Sequence, residues 1–469
     1  MPARWFRSHR RASRPRRGLL PVAAAAAVAA AVLVPGGLSA ASPAAAATVT
    51  PTEIRVVAPS AAQVKRLNEA YDLLEVRRGK DLFVMGDDAA LAALRSEGFN
   101  VRVERRFAPL PVTRGTSGSA IRAAAVYPTF FGGYHTVAAH RQHLQDVAGT
   151  YPNLTTLVDY GDSWLKTQGR GGNDLYAICI TNKQAGDCAR TTTGHKPRSF
   201  VYAAIHAREL ATAEVAWNWI DYLVTSYGTD STVTNLMNTT ELWVIPVANP
   251  DGRQIVESGG SSPYFQRKNA NDSRGSCARP PTSTNQHGVD MNRNATWHWG
   301  GVGSSTSACT QTYRGTSAAS EPETSAQQAL FNSLFRDRRG TGVNDPAPVD
   351  TTGTFMSYHS YAGLVLYPWG DTTTDAPNNA KLRALALRMA AFNGYTAGQG
   401  PEILYGTTGT TDDDLYGRLG VASFTTELGA AGTSCDGFMP AYSCVGSRFW
   451  PQERQALIAL AQAAAGPYR

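Results

Sequence analysis

Hydrophobic and polar positions divide the chain into two patterned regions, which are joined by a segment without a periodic pattern. In the first region, residues 51–107, alternating positions predict strands at 53–57, 81–85 and 101–104. Helical spacing predicts helices at 61–73 and 88–94. We therefore expect a small α+β unit in this part of the chain.

The second region extends from about Tyr127 to Leu460. Apolar runs predict buried strands at Leu175–Ile180, Ser199–Ile205, Leu242–Val247, Phe355–His359, Leu364–Tyr367 and Ser423–Thr426. Amphipathic stretches predict helices at Tyr134–Tyr151, Leu210–Tyr227, Glu321–Arg336, Asn379–Asn393 and Pro451–Ala464. Strands that alternate with helices in this way indicate one large α/β domain with a mixed sheet.

The segment between the two regions, from Pro109 to Ala125, is rich in Ser, Thr, Gly, Ala and Arg. This composition predicts an exposed linker, with Arg114 and Arg122 as points where a protease could cut. The first region would then be removable. A permanent domain on a flexible tether is the alternative.

The first 47 residues have the pattern of a secretory signal. Seven Arg and no acidic residue lie between Met1 and Arg17, an apolar run follows from Leu19 to Val34, and small residues continue to Ala47. The apolar run is short for the roughly 20 residues of a membrane span, so an uncleaved anchor is the weaker alternative. The pattern predicts a secreted, extracellular product.

The basic charge of the chain belongs to this leader. The formal net charge is +7, and residues 1–47 contribute seven Arg and no acid, so the remainder carries 7 − 7 = 0. A neutral remainder gives no reason to expect a nucleic-acid partner. No later segment is apolar enough to span a bilayer, so we expect no membrane partner either.

Six Cys lie outside the leader, and none forms a C-x-x-C pair. An even number of Cys in an exported chain indicates disulfides. Sequence order favours the pairs 179–188, 277–309 and 435–444, although six Cys allow fifteen pairings. Free buried thiols are the alternative.

Polar residues that could bind a metal follow or end two of the predicted strands, and ligands bind at such places in open α/β sheets. His206 and Glu209 come directly after the strand that ends at Ile205, and His359 ends another strand. Imidazole nitrogens and a carboxylate are typical zinc ligands, and a catalytic zinc site has three protein ligands. Each segment is weak evidence alone, but together they predict a zinc site.

Two further segments could act on a substrate. Arg267, Asn292 and Arg293 supply donors that suit a carboxylate, although a solvated polar loop could have the same composition. Glu427 follows the apolar strand Ser423–Thr426. A carboxylate in such a buried place is either a salt-bridged structural acid or a general base.

Taken in order, these segments resemble the metallocarboxypeptidases of the pancreatic carboxypeptidase A and B type, from about Tyr134 to the C-terminus. The segments that carry the resemblance are Tyr134–Thr136, His206–Glu209, Asn249–Gly252, Asp290–Asn294, His359–Tyr361, Leu366–Pro368 and Phe424–Leu428. The resemblance implies a carboxypeptidase-like α/β/α catalytic domain at 123–469. A signal peptide at 1–47 and a small α+β propeptide with its linker at 48–122 would precede it.

The resemblance implies one Zn²⁺ per chain, held by His206, Glu209 and His359, with Asp290 orienting His206. By the same pattern, Glu427 would be the general base. Arg267 would stabilise the oxyanion.

The substrate would be a peptide or protein with a free C-terminus. Its terminal carboxylate would be bound by Asn292, Arg293 and Tyr405, with Arg208 nearby. Tyr361 would line the cleft after a cis Ser360–Tyr361 bond. Such a clamp implies removal of C-terminal residues, and the resemblance also favours a monomer.

Counting from Tyr405 brings Asp412 to the base of the specificity pocket. An acid there resembles the B type and implies preference for Lys and Arg, with possible tolerance of apolar residues. Because Asp412 begins a run of three Asp, the register stays open, and a solvated loop is the alternative. Two other functions also stay open: a zinc peptidase of this fold that acts on cell-wall peptides or isopeptides, and a non-catalytic binding protein.

Overall fold

The computed structural model describes residues 50–107, 115–118, 120–121, 125–260 and 262–469. The predicted signal at 1–47 and the possible cleavage points Arg114 and Arg122 lie outside these residues. The described residues all belong to one compact unit.

The small α+β unit predicted from the first patterned region is confirmed. Its elements are β1 Thr52–Val56, α1 Ala61–Ala70, β2 Asp72–Arg78, β3 Asp81–Gly86, α2 Asp88–Ser96 and β4 Val101–Arg106. The strands form a four-stranded antiparallel sheet in the order β2-β3-β1-β4. The helix predicted at 61–73 ends at Ala70, and the sequence analysis missed β2. Residues 72–76 are all buried, so the strand has no alternation of hydrophobic and polar residues.

Residues 115–118, within the predicted linker, form a strand that the sequence did not indicate. Strand β5 (Gly115–Gly118) pairs antiparallel with β6 (Val126–Phe130), which pairs with β7 (Tyr134–His135). The sequence of β5 is Gly-Thr-Ser-Gly, so it has no hydrophobic pattern, and backbone pairing to β6 makes it a strand.

The second patterned region, called the larger region below, includes β6 and β7, continues with α3 and contains the main sheet. Its elements are α3 Val137–Thr150, β8 Thr155–Asp162, α4 Trp164–Thr167, β9 Asp174–Ile180, β10 Arg198–Ala203, α5 Leu210–Ser226, α6 Ser231–Thr239, β11 Glu241–Ile245, α7 Pro250–Ser258, α8 Pro322–Leu334, β12 Thr354–Ser360, β13 Leu364–Tyr367, α9 Asn379–Asn393, β14 Thr396–Gln399, α10 Gly400–Ile403, α11 Thr411–Leu419, β15 Ala422–Leu428 and α12 Trp450–Ala463. A 3₁₀-helix at Met291–Arg293 and a π-helix at Val445–Phe449 complete the set.

Eight strands form one mixed sheet in the order β14-β13-β15-β12-β10-β11-β9-β8. Alternate residues of the central strands enter two different cores. Phe200 and Phe355 belong to the core that contains residues of α8 and α11. Val201 and Met356 belong to the core that contains residues of α5, α9 and α12. The predicted α/β/α arrangement with a mixed sheet is therefore confirmed.

Three disulfides join the Cys that are neighbours in sequence: Cys179–Cys188, Cys277–Cys309 and Cys435–Cys444. The favoured pairing is confirmed, and the described residues include no free Cys. Within the part of the chain that the structure describes, no helix has the length and hydropathy needed to cross a membrane.

Candidate active site

Three neighbouring parallel strands place polar side chains at one edge of the main sheet. Strands β10, β12 and β15 lie side by side and parallel, so their C-terminal ends meet. His359 on β12 is directly opposite Glu427 on β15. The chain leaves β10 through Ala204 with a φ of 54°, and this turn carries His206 to the same edge.

His206, Glu209 and His359 form a buried cluster whose ligand atoms converge. The Nδ1 of His206 is 2.7 Å from Oε1 of Glu209 and 3.1 Å from Nδ1 of His359. The Nδ1 of His359 is 3.3 Å from Oε2 of Glu209. Ligands that bind tetrahedral zinc at about 2.0–2.1 Å lie about 3.3 Å from one another. The donor set and its spacing therefore fit one zinc ion.

Asp290 holds His206 in the orientation that this site needs. Its Oδ1 is 3.2 Å from Nε2 of His206, and its Oδ2 accepts a hydrogen bond from Nε of Arg267 at 3.0 Å. Burial favours the neutral carboxyl, but the charges of Arg267 and His206 hold the pKa of Asp290 well below its ordinary value. An ionised Asp290 accepts the Nε2 proton of His206, which leaves Nδ1 free to bind a metal.

Glu427 is buried beside this cluster. Its Oε2 has no hydrogen-bond partner among the described residues. Burial raises the pKa of Glu427 well above its ordinary value, and the nearby charges of Glu75 and Glu209 raise it further. A carboxyl group with a free oxygen and a raised pKa is suited to hold and pass on a proton.

The predicted carboxylate-binding residues line the same cavity as His206, His359 and Glu427. Asn292 is oriented by Thr411, whose backbone N–H donates to its Oδ1 at 3.0 Å. The Nε of Arg293 donates to the carbonyl of Gly303 at 2.7 Å. Tyr405 completes this wall of the cavity.

Arg208 and Tyr361 contact the N-terminal α+β unit. Arg208 forms an ion pair with Asp72, with Nη1 2.6 Å from Oδ2, and its guanidinium lies 3.9 Å from the centre of the Phe438 ring. The hydroxyl of Tyr361 donates to Oε2 of Glu53 at 3.2 Å. The Ser360–Tyr361 bond is cis, as the resemblance implied.

The three consecutive Asp residues have different partners. Asp413 accepts the backbone N–H of Gly370 at 2.9 Å, and Asp414 forms an ion pair with Arg418 at 2.6 Å. Asp412 lines the cavity. All three are buried in the first turn of α11, so the alternative of a solvated loop is wrong.

Sequence reasoning missed Glu75, which lies in the same cavity. Its Oε1 is 3.2 Å from the hydroxyl of Tyr405 and 4.0 Å from Nη1 of Arg267. The hydroxyl of Tyr405 also donates to the carbonyl of Leu73 at 2.9 Å. The sequence contained one signal for Glu75, which is the presence of acids within the apolar run Asp72-Leu73-Leu74-Glu75-Val76. A buried acid needs a partner, so such acids indicate a contact with another part of the chain.

The sequence of the chain is similar to those of known proteins. A family model described as zinc carboxypeptidase, peptidase family M14, matches residues 140–456. Carboxypeptidase A2 of Mus musculus is 28% identical over 305 residues, which cover 64% of this chain and 63% of that protein's own length. A zinc carboxypeptidase of Saccharothrix mutabilis subsp. capreolus is 29% identical over 320 residues, or 67% of this chain and 66% of that protein.

A solved structure supports the fold. The crystal structure of carboxypeptidase A from Helicoverpa armigera superimposes with a TM-score of 0.65 at 21% sequence identity. The superposition covers 89% of this chain and 98% of that one.

Proposed function

This chain belongs to the zinc carboxypeptidase family, and from that premise we propose that it removes single residues from the C-terminal ends of peptides and proteins. One observation carries the proposal. Two of the candidate metal ligands, His206 and His359, border the same cavity as the buried carboxyl of Glu427 and the carboxylate-binding wall, which consists of Asn292, Arg293 and Tyr405. An internal peptide bond has no carboxylate for that wall, so the site selects chain ends.

His206, Glu209 and His359 would hold the zinc. When bound, zinc supplies a Lewis acid that polarises the scissile carbonyl and lowers the pKa of a water molecule. Glu427 accepts the proton of the attacking water on its free Oε2 and donates it to the leaving amine.

Arg267 stabilises the negative charge that develops on the carbonyl oxygen. Its guanidinium lies at the site, with Nη1 3.9 Å from Oε1 of Glu209. Asp290 holds it there through the hydrogen bond to its Nε. Removing one such donor costs several kcal/mol of transition-state stabilisation, on the order of 3 kcal/mol.

Asp412 supports a preference for C-terminal Lys and Arg, with tolerance of apolar residues. Asp412 lines the cavity, whereas Asp413 accepts a hydrogen bond from Gly370 and Asp414 forms an ion pair with Arg418. A guanidinium or ammonium that enters the pocket would pair with Asp412 directly.

We further propose that residues 48–122 are an inhibitory propeptide with its linker, that 123–469 is the catalytic domain, and that 1–47 directs secretion of a monomer. Glu75 supports the inhibitory role, because its carboxylate lies near Tyr405, which would bind the substrate carboxylate, and near Arg267, which would stabilise the oxyanion. Asp72 also supports the inhibitory role, because it forms an ion pair with Arg208, which is predicted to lie near the substrate carboxylate.

The test is to trim the precursor with trypsin and assay it on two blocked dipeptides, one ending in Arg and one in Phe, with and without a zinc chelator. We expect hydrolysis of both, faster for Arg, and loss of both with the chelator. Glu427→Gln should abolish hydrolysis, whereas Glu453→Gln, a buried acid outside this cavity, should not. Hydrolysis of only branched or cell-wall peptides would replace this proposal with the cell-wall alternative.

A further inference from the structure

A second group of catalytic side-chain types lies outside the metal site. The Oγ of Ser117 is 2.7 Å from Nε2 of His135, and the Nδ1 of His135 is 2.7 Å from Oε2 of Glu214. The three side chains therefore form one chain of hydrogen bonds in the order of a Ser-His-acid triad. Ser117 lies on β5, within the predicted linker, and the proposed carboxypeptidase mechanism uses none of the three.

Glu214 fixes the tautomer of His135. One carboxylate oxygen accepts the backbone N–H of His135 at 2.8 Å, and the other faces Nδ1. Because the ionised carboxylate only accepts, Nδ1 carries the proton and Nε2 is the acceptor. Burial raises the pKa of Glu214, but the charge of His135 and the hydrogen bonds that Glu214 accepts hold this pKa well below its ordinary value. The hydroxyl of Ser117 therefore donates to a basic nitrogen.

The imidazole of His135 is held rigidly. Its ring stacks on the indole of Trp217 with centroids 3.9 Å apart and an interplanar angle of 4°. The edge of Tyr127 packs against it with centroids 6.2 Å apart. His135 is buried, whereas Ser117 is partly exposed. A rigid base and an accessible hydroxyl are what an activated serine needs.

The peptide bond before Ser117 is weakly held in the sheet. Strand β5 is at the edge of its three-stranded sheet, and Thr116 is paired with Pro128. Pro128 has no N–H, so it cannot donate a ladder hydrogen bond to the carbonyl of Thr116. A Cβ built at Gly118, the residue after Ser117, would meet no described atom within 4 Å. The carbonyl of Thr116 therefore receives no ladder hydrogen bond from β6, which leaves this peptide group freer to turn toward Oγ of Ser117 than a group held in the ladder.

We propose that Ser117, His135 and Glu214 form a self-cleaving centre that breaks the linker between Thr116 and Ser117. The Oγ of Ser117 attacks the carbonyl carbon of Thr116, and its proton passes to Nε2 of His135. The bond from the Thr116 carbon to the Ser117 nitrogen breaks, and His135 returns the proton to that nitrogen. Water then hydrolyses the ester, which gives a carboxylate on Thr116 and restores the hydroxyl of Ser117.

The cut separates the N-terminal α+β unit from the larger region without a second protease. It needs only water, and it does not need zinc. Failure of this proposal is therefore distinguishable from failure of the proposed carboxypeptidase activity, which a zinc chelator would abolish.

The test uses the full chain, purified and incubated with a zinc chelator so that no carboxypeptidase activity trims the new end. Intact-mass spectrometry and N-terminal sequencing follow the fragments. We expect a fragment ending at Thr116 and a partner beginning at Ser117. Hydroxylamine should accelerate the cut and leave a hydroxamate on Thr116, because it captures the ester.

Four variants complete the test. Ser117→Ala should slow the cut by about 100-fold or more, which is the usual contribution of a nucleophile with its base. Ser117→Cys should still be cut. Ser119→Ala is the matched control and should be cut at the same rate as the unchanged chain. Glu214→Gln should slow the cut by about 10-fold or more, with folding checked by thermal melting. Absence of cleavage at this bond, or an equal rate in Ser117→Ala, would overturn the proposal.

Discussion

Removing the charge of Asp412 tests the proposed preference for basic C-terminal residues. Asp412→Asn keeps the shape of the side chain and removes its charge. Asp412 is 9% exposed as a residue and lines the cavity, so its pairing with a substrate cation would be partly shielded from water. The variant should therefore lose activity on Arg substrates selectively.

The size of the loss follows from the charge pair. Two unit charges about 4 Å apart attract by about 4 kcal/mol at an effective dielectric constant of about 20. The amide of Asn retains part of the interaction, and desolvation offsets another part, so we expect a net loss of about 2–3 kcal/mol. That corresponds to a fall of about 30- to 150-fold in kcat/KM for the Arg substrate.

The assay measures kcat/KM of the trypsin-trimmed protein on blocked dipeptides ending in Arg and in Phe. The matched control is Asp414→Asn, because Asp414 is the neighbouring buried acid that pairs with Arg418 instead of lining the cavity. The control should lower stability and leave the Arg-to-Phe ratio unchanged. An unchanged ratio in Asp412→Asn, or an equal change in Asp414→Asn, would refute the reasoning.

Three further predictions concern inhibition and stability. Glu75→Gln should raise the residual dipeptide hydrolysis of the uncut precursor by about 10-fold. It removes an attraction to Arg267 across 4.0 Å, of which we expect a net of about 1.4 kcal/mol after the desolvation of the buried Glu75 is subtracted. Unchanged hydrolysis would argue against inhibition by Glu75. Burial raises the pKa of Glu453 from 4.5 to about 7, so its contribution to stability is fully present below pH 4.5 and is lost as the pH rises through about 7. Urea titrations compare the free energy of unfolding of the unchanged chain with that of Glu453→Gln. The difference between the two should fall by about 3 kcal/mol between pH 4.5 and about 7, and a pH-independent difference would contradict this. Replacing Cys277 and Cys309 by Ser opens a loop with a sequence separation of 32 and should lower the free energy of unfolding by about 3–4 kcal/mol, whereas no change in the denaturation midpoint would count against it.

The sequence was sufficient to predict which side chains lie together at one edge of the main sheet. His206, His359 and Glu427 follow or end strongly apolar strands, and parallel strands bring such ends together. Which of the three consecutive Asp lines the cavity could be decided only with the structure. The role of Asp412 depends on that choice, and the helical geometry of α11 decides it.

Two sets of side-chain contacts could not be predicted, because the residues that form them are distant in sequence. Glu75 and Asp72 are buried acids in β2, and their partners Arg267 and Arg208 lie in the larger region. Ser117 lies in a segment with no hydrophobic pattern, and its contact with His135 depends on the pairing of β5 with β6. Local periodicity carries no information about either contact.

The most direct test of the proposed function compares two peptides that both end in Arg, one with a free C-terminal carboxylate and one with a C-terminal amide. The trypsin-trimmed protein is incubated with each, and mass spectrometry follows the products. The account predicts removal of the single Arg from the free peptide and no cleavage of the amide, because Asn292, Arg293 and Tyr405 require the carboxylate. Equal cleavage of both peptides, or cleavage only at internal bonds, would contradict it.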